Sequence, residues 1–399
     1  MSAPALLDGP ALDAPEGHDA HVARLGPAPR GSAALIDVLE RSGLRGRGGA
    51  AFPVATKWRA VAQRSRRDAV VLVNGAEGEP LSAKDRLLME TRPHLVLDGA
   101  ALAAQAVGAR QVVVYVGEEH RRALAVMQHA LSERDQRERR GTRVLASPAR
   151  YVAGEESAAV RFVNDGVALP TTTPPRPFER GVGGRPTLVQ NVETLAHVAL
   201  IGRYGDAARE TALLTLSGAV RHRGVVEVAG GSSIGEALAR AGGAVDGGGA
   251  LLLGGYFGGW VDLDQVVHMP VDAAWLRTQG MALGCGVVGV LPAQRCGVAE
   301  TARIIGYLAE QSARQCGPCV FGLRAIAEAV QRIATGAATD GDLARVQRWS
   351  QQLAGRGACR HPDGAAGLLQ SALRVFAEDF AAHQARRPCV ATGERRVAA

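Results

Sequence analysis

The chain has 399 residues, a formal net charge of +7, 47% hydrophobic and 4% aromatic residues, 50 glycines and 6 cysteines. That length leaves room for two or three domains with a substantial core, and the charge surplus points to acidic partners or anionic ligands. Bilayer insertion is excluded, because no apolar run is long enough to span one, and nucleic-acid binding lacks the basic helix or aromatic-interleaved patch it needs.

In chain order, residues 1–22 are rich in Ala, Pro and Asp, carry no basic-then-apolar leader pattern, and read as a disordered tail. A cytoplasmic location follows, where thiols stay reduced and clustered cysteines indicate metal rather than disulfides. Over residues 23–205, strands and helices alternate. A β-branched strand at 70–73 ends at Asn74. Pro93 opens a helix over 94–107, a second strand covers 112–116, a helix 119–133, and a third strand 144–146. This alternation predicts a Rossmann-like parallel α/β domain with ligands beyond the carboxyl ends of its strands.

Over residues 206–270 the character changes to short strands (213–216, 225–228, 251–253) between Gly-rich turns, with one helix near 234–241. Residues 271–295 read as a connecting segment. Residues 296–385 are helical, with a helix at 301–310 and three apolar stripes: Leu323, Ile326, Val330, Ile333; Leu343, Val346, Trp349, Leu353; Leu369, Leu373, Phe376, Phe380. This spacing predicts a four-helix bundle. Residues 386–399 form a basic tail.

Four segments carry the chemistry. Gly43-Leu-Arg-Gly-Arg-Gly-Gly-Ala-Ala-Phe-Pro53 is a glycine-rich loop whose N–H groups, with Arg45 and Arg47, suit an anion. Lys57, just beyond, adds a point charge for a phosphate oxygen. Asn74-Gly-Ala-Glu-Gly-Glu-Pro80 and Tyr151-Val-Ala-Gly-Glu-Glu-Ser157 bring four carboxylates near that loop, where they can accept hydrogen bonds from ribose hydroxyls and a carboxamide. Gly184-Arg-Pro-Thr-Leu-Val-Gln-Asn-Val-Glu-Thr194 is the fourth.

In this order the four segments resemble the family of the 51 kDa, or F, subunit of respiratory complex I, its NADH- and FMN-binding iron–sulfur component, of which the chain looks like a divergent member. The resemblance runs from about Ser42 to Phe380. It implies FMN, NADH and a 4Fe–4S cluster, and a small ubiquitin-like β-grasp (SLBB-type) module over 206–270. It places Gly46, Arg47, Gly48, Gly49, Lys57, Asn74, Glu77, Gly154, Glu155, Asn191 and Thr194 around FMN. It places Phe52, Glu79, Glu156, Arg176 and Phe178 at NADH. Tyr151 is either a neighbour of the nicotinamide or a packing residue. No catalytic acid or base is expected, because the flavin itself accepts the hydride.

Cys316-Gly-Pro-Cys319 and Cys359 lie in loops between predicted helices. Thiolates are the usual cluster ligands, although a bare CxxC also fits zinc or redox chemistry. Against the family's four-cysteine pattern, Ala313 replaces the first. The fourth ligand is then Cys296, Cys389, His361 or a solvent-derived group, or the cluster holds three irons. Cys285 reads as a buried non-ligand. Further departures are Ala76 for a carboxylate, Gln190 for asparagine, and Ala51 for a glycine, the last tolerable if its φ is negative. The implied activity is NADH:acceptor oxidation, with electrons leaving to a ferredoxin or an iron–sulfur subunit in a hetero-oligomer. The alternatives are a degenerate nucleotide-binding scaffold and ferredoxin-driven NAD+ reduction.

Overall fold

The structure, a computed structural model, describes residues 3–245, 249–387 and 389. It divides into two compact units, Met1–Leu213 with Glu227–Gly230, and Leu214–Val226 with Gly231–Ala399.

In the first unit, strands β1 (Ala69–Gly75), β2 (Ala109–Gly117), β3 (Thr142–Ser147) and β4 (Thr187–Asn191) form a parallel sheet in the order β3-β2-β1-β4. Val70, Val71, Leu72 and Val73 are wholly buried, as expected for a parallel strand covered on both faces. The three strands foreseen from sequence are present. β4 is an addition: in sequence its Thr-Leu-Val-Gln-Asn run reads only as part of a binding motif.

The helix Pro93–Val107 starts on proline and closes at Gly108 in the left-handed region, φ 68°. It packs against the helix Val192–Tyr204. A Cβ on Gly99 would stand 1.9 Å from the Leu195 carbonyl oxygen, so this approach requires glycine.

The expectation of a disordered tail over residues 1–22 is corrected. Leu6 is fully buried, and a helix spans His18–Leu25. Arg92 donates to the carbonyls of Leu7 (2.9 Å) and Asp8 (3.2 Å). Glu227 accepts the N–H groups of Leu6 and Leu7, both at 2.8 Å, and the Thr211 hydroxyl at 2.6 Å. His21 reaches buried Asp98 at 2.8 Å, where Arg134 and Arg203 also pair. Burial works against the Asp98 carboxylate, but His21 and the two guanidiniums hold its pKa well below the usual range. The segment is ordered by long-range polar contacts, which leave no hydrophobic periodicity to read.

The second sheet runs β6 (Gly224–Ala229), β5 (Thr211–Gly218), β9 (Val287–Val290), β7 (Ala250–Leu253), β8 (Gly259–Asp262). β9 pairs parallel to β5 and antiparallel to β7. Residues 271–295 therefore supply the central strand and are more than a connector. Here Val287-Val-Gly-Val290 is too short and glycine-flanked to declare itself. The helix Ile234–Arg240 matches expectation and carries a capping box between Ser233 and Glu236.

Among the described residues five α-helices follow: Gly297–Glu310, Arg324–Ala334, Asp342–Leu353, His361–Val375 and Ala377–Gln384. Ile326, Val330, Ile333, Val346, Leu353, Leu369 and Phe380 are buried, as their spacing predicts. Of the expected basic tail, only residues 386, 387 and 389 lie within the described residues.

Candidate functional site

Three of the four motifs meet at the carboxyl ends of β1 and β4, and the glycine loop docks on them. Asn74 and Asn191 are register partners on these adjacent strands. Asn191 caps the helix Val192–Tyr204 by accepting the Thr194 N–H, and it donates to Asp85 at 2.7 Å. Asn74 donates to the Gly154 carbonyl at 2.7 Å, which ties in the 151–157 loop. Close approach of these loops depends on glycine: a Cβ on Gly154 would lie 2.7 Å from the Ala76 carbonyl oxygen, and one on Gly78 would lie 2.9 Å from that of Tyr151.

The glycine loop is pinned by Gly46 N–H to Phe52 O (2.9 Å) and Val54 N–H to Leu44 O (3.0 Å). The Arg47 N–H donates to Thr194 Oγ1 at 2.9 Å, and the Arg47 guanidinium donates to the Thr211 carbonyl. Gly48 lies against Asn191, where an added Cβ would stand 3.3 Å from the Asn191 Cβ. Gly49 takes φ +104°. The condition set for Ala51 fails: its φ is +48°. An L-residue there costs about 1–2 kcal/mol, so Ala51→Gly is expected to raise stability by about 1 kcal/mol, read as a higher urea midpoint with an unchanged slope.

The carboxylates divide their work. Glu77 is consumed by its own loop: it accepts the Ser82 hydroxyl (2.5 Å) and the N–H groups of Asp85 (3.1 Å) and Arg86 (3.0 Å). Glu155 caps the helix Glu156–Asp165 through the N–H groups of Ser157 and Ala158, and burial pushes its pKa up. Glu79 accepts the Tyr151 hydroxyl at 3.2 Å, which brings Tyr151 into the site. Glu156 pairs with Lys57 at 2.8 Å, both about one-quarter to one-third exposed.

Phe52 is 53% exposed beside the loop, a position suited to stacking. Phe178 lies under the Arg64 guanidinium, 4.8 Å from ring centroid to Cζ. Arg176 is exposed, and its backbone N–H donates to Glu179. Gln190 is buried and accepts the Trp58 indole N–H at 3.2 Å, so this departure serves packing.

Sequence reasoning missed the support beneath the site. Buried Lys84 pairs with Asp85 (2.8 Å) and Glu193 (2.9 Å). Burial opposes the Lys84 charge, yet Asp85, Glu193 and Glu77 outweigh it and raise its pKa. Burial lifts Asp85 to about 6. The only local signal was a Lys-Asp pair following the Asn74–Pro80 loop.

In the second unit the CxxC loop and the 355–360 loop come together. The N–H groups of Ala358 and Cys319 point at the Cys316 sulfur, and they outweigh burial to lower its pKa. Burial, the Cys316 sulfur and Cys359 push Cys319 up to about 12, opposed by the Arg314 N–H. Cys319 sits in a π-helical turn, Pro318–Leu323, a feature frequent at functional sites. Cys285 is half-buried, its sulfur directed at the Gly254 carbonyl.

The offered fourth ligands have neighbours of their own. His361 Nε2 is bonded to the Leu308 carbonyl at 2.7 Å. Cys296 and Cys389 gather around His383, and these are, among the described residues, the one group of three possible ligands within 4.8 Å of one another. Three cysteines on two adjoining loops, with N–H donors facing the Cys316 sulfur, fit an iron–sulfur cluster. The glycine cradle, the Lys57 ammonium and the two asparagines likewise fit a phosphate and the hydroxyls of a ribityl chain.

A parallel-sheet unit with a loop-built anion cradle, and a second unit whose CxxC and 355–360 loops bring three cysteines together, define a flavin- and cluster-binding electron-transfer chain. Residues 39–200 match the family model of the Nuo51 FMN-binding domain, and residues 299–383 that of the NADH-ubiquinone oxidoreductase-F iron-sulfur binding region. The chain is 32% identical over 379 residues to the F 2 subunit of the NADH-quinone oxidoreductase of Rhizobium meliloti, covering 89% of this chain and 90% of the relative. It is 28% identical to the HndC component of the NADP-reducing hydrogenase of Solidesulfovibrio fructosivorans, covering 90% and 78%. A crystal structure of an NAD+-reducing nickel–iron hydrogenase in the H2-reduced state superposes with a TM-score of 0.80 at 29% identity, covering 89% of this chain and 62% of that one. The chain belongs to the family of the 51 kDa, or F, subunit of NADH-quinone oxidoreductase.

Proposed function

We propose that this chain is the NADH-oxidising module of an electron-transfer assembly. It takes hydride from NADH at FMN and passes single electrons through an iron–sulfur cluster to a partner. The convergence of the glycine cradle, Asn74, Asn191 and the Lys57–Glu156 pair near the carboxyl ends of β1 and β4 carries this reading. Bound FMN supplies the conversion of a two-electron donor into one-electron steps.

The chain's own residues do the rest. The cradle N–H groups and Lys57 hold the phosphate, and Asn74 and Asn191 orient the ribityl chain. Phe52 stacks the dinucleotide, with Phe178 and Arg176 on its far part. Glu79 and Glu156 accept hydrogen bonds from its polar groups, and Tyr151 fixes Glu79. A carboxylate at the ribose also disfavours a 2′-phosphate. Cys316, Cys319 and Cys359 hold the cluster, with Ala313 leaving its fourth position to a non-cysteine ligand. The five-stranded sheet is read as a β-grasp module and the C-terminal helices as a bundle around the cluster loop. No described helix is long and apolar enough to cross a membrane. We assign the module to the cytoplasm, with a ferredoxin or an iron–sulfur subunit as acceptor in a hetero-oligomer. The surplus of positive charge suits an acidic one.

The test is the absorbance of anaerobically purified protein before and after NADH. A flavin band that bleaches is expected. No flavin after reconstitution, together with no NADH-dependent reduction of an artificial acceptor, would leave a degenerate scaffold instead.

A further inference from the structure

We propose that Cys296, His383 and Cys389 form a second metal site, separate from the cluster cysteines, that takes a thiophilic d10 cation, zinc first. All three are buried, and one ligand atom from each lies within 4.8 Å of the others. That spacing accommodates two sulfurs on one tetrahedral ion, about 3.8 Å apart for Zn–S bonds near 2.3 Å.

The histidine is set for ligation. Its Nδ1 lies 3.2 Å from the Ile333 carbonyl oxygen, and its Nε2 lies 3.3 Å from the Cys296 sulfur. Donation of Nδ1–H to that carbonyl places the lone pair on Nε2, toward the sulfur. A backbone carbonyl on the remote ring nitrogen is the usual arrangement around a metal-bound histidine. Cys296 is the N-cap of the helix Gly297–Glu310, and its sulfur is aimed by the Ala299 N–H at 3.5 Å. His383 lies in the last turn of the helix Ala377–Gln384, and Cys389 lies five residues past that helix. Two thiolates and one imidazole favour zinc or cuprous copper over magnesium or calcium, and the iron content of the variants tests the site's separation from the cluster cysteines. Water fills the fourth position. The ion would clamp the helix Ala377–Gln384 and Cys389 to the N-terminus of the helix Gly297–Glu310. No electron transfer is assigned to this site, and the assignment stands independently of the NADH reaction.

The experiment is metal analysis of the full-length protein purified anaerobically with its flavin and cluster. One equivalent of zinc per chain is expected beyond the iron. Cys296→Ser, Cys389→Ser and His383→Gln are each expected to lower zinc at least tenfold, with iron, sulfide and flavin unchanged. If a variant fails to fold, cobalt substitution of the wild-type protein replaces it. A thiolate-to-cobalt charge-transfer band, displaced stoichiometrically by zinc, supports the site. Protein that holds no zinc and takes up neither zinc nor cobalt overturns the proposal. Iron falling in parallel with zinc would also overturn it, since these residues would then belong to the cluster, and so would a disulfide between Cys296 and Cys389 in the anaerobic protein.

Discussion

Lys84→Met is expected to destabilise the protein by about 3–5 kcal/mol, the cost of stranding buried carboxylates when their shared cation is removed. Lys84 is 1% exposed and reaches both Asp85 and Glu193. Asp85 in turn accepts the Asn191 side chain and the Glu193 N–H. Without the ammonium the two carboxylates repel each other, and the folded state gains by protonating one of them. A carboxylate with a raised folded pKa binds more protons folded than unfolded, so stability falls as pH rises through that pKa. The deficit of the variant is therefore expected to shrink as pH drops from about 8 toward 5. Urea unfolding at several pH values measures this, and a pH-independent deficit would contradict it. Adding Asp85→Asn and Glu193→Gln to Lys84→Met should recover most of the loss. Flavin retention should fall with the single variant, because Asn191 loses its anchor.

Glu156→Gln is expected to lower kcat/KM for NADH by roughly 10- to 100-fold, the worth of a charged hydrogen bond of about 1.5–3 kcal/mol. Its flavin content should not change. Glu156 is held by Lys57 at a partly exposed site, so it can turn to a ligand. Its neighbour makes the contrast. Glu155 is committed to the first turn of the helix Glu156–Asp165, so Glu155→Gln should cost about 1 kcal/mol of stability with little change in kcat/KM. Steady-state kinetics beside thermal unfolding separate the two. Reversed effects would exchange their roles.

Legibility in the sequence followed the range of the interactions. The glycine loop, the asparagines and the CxxC pair announced themselves because each is a local cluster of residue types with a narrow set of uses. Strands at 70–73 and 112–116 were readable because full burial on both faces demands unbroken apolar runs. β4 and β9 were not, since one is half motif and the other four residues long. The N-terminal segment misled because Leu6, Glu16 and His21 find their partners at Glu227, Arg24 and Asp98, and contacts of that kind impose no period. The four acidic residues looked equivalent in sequence. Only the folded backbone shows Glu77 and Glu155 each holding two N–H groups, while Glu79 accepts the Tyr151 hydroxyl and Glu156 pairs with Lys57. The sign of φ at Ala51 was equally invisible, since alanine is no marker of the left-handed region.

The bonds between Glu227 and the N–H groups of Leu6 and Leu7 have a consequence for biosynthesis. They join residues 220 and 221 positions apart, and Glu227–Gly230 belongs to the first unit although the preceding Leu214–Val226 belongs to the second. A chain emerging from the ribosome holds the whole flavin-site sheet well before Glu227 appears. Until then the N–H groups of Leu6 and Leu7 lack their Glu227 acceptor. The Arg92, Arg24 and Asp98 contacts of this segment are available by then, so what waits for translation to enter the next unit is the closure of Leu6 and Leu7 onto Glu227.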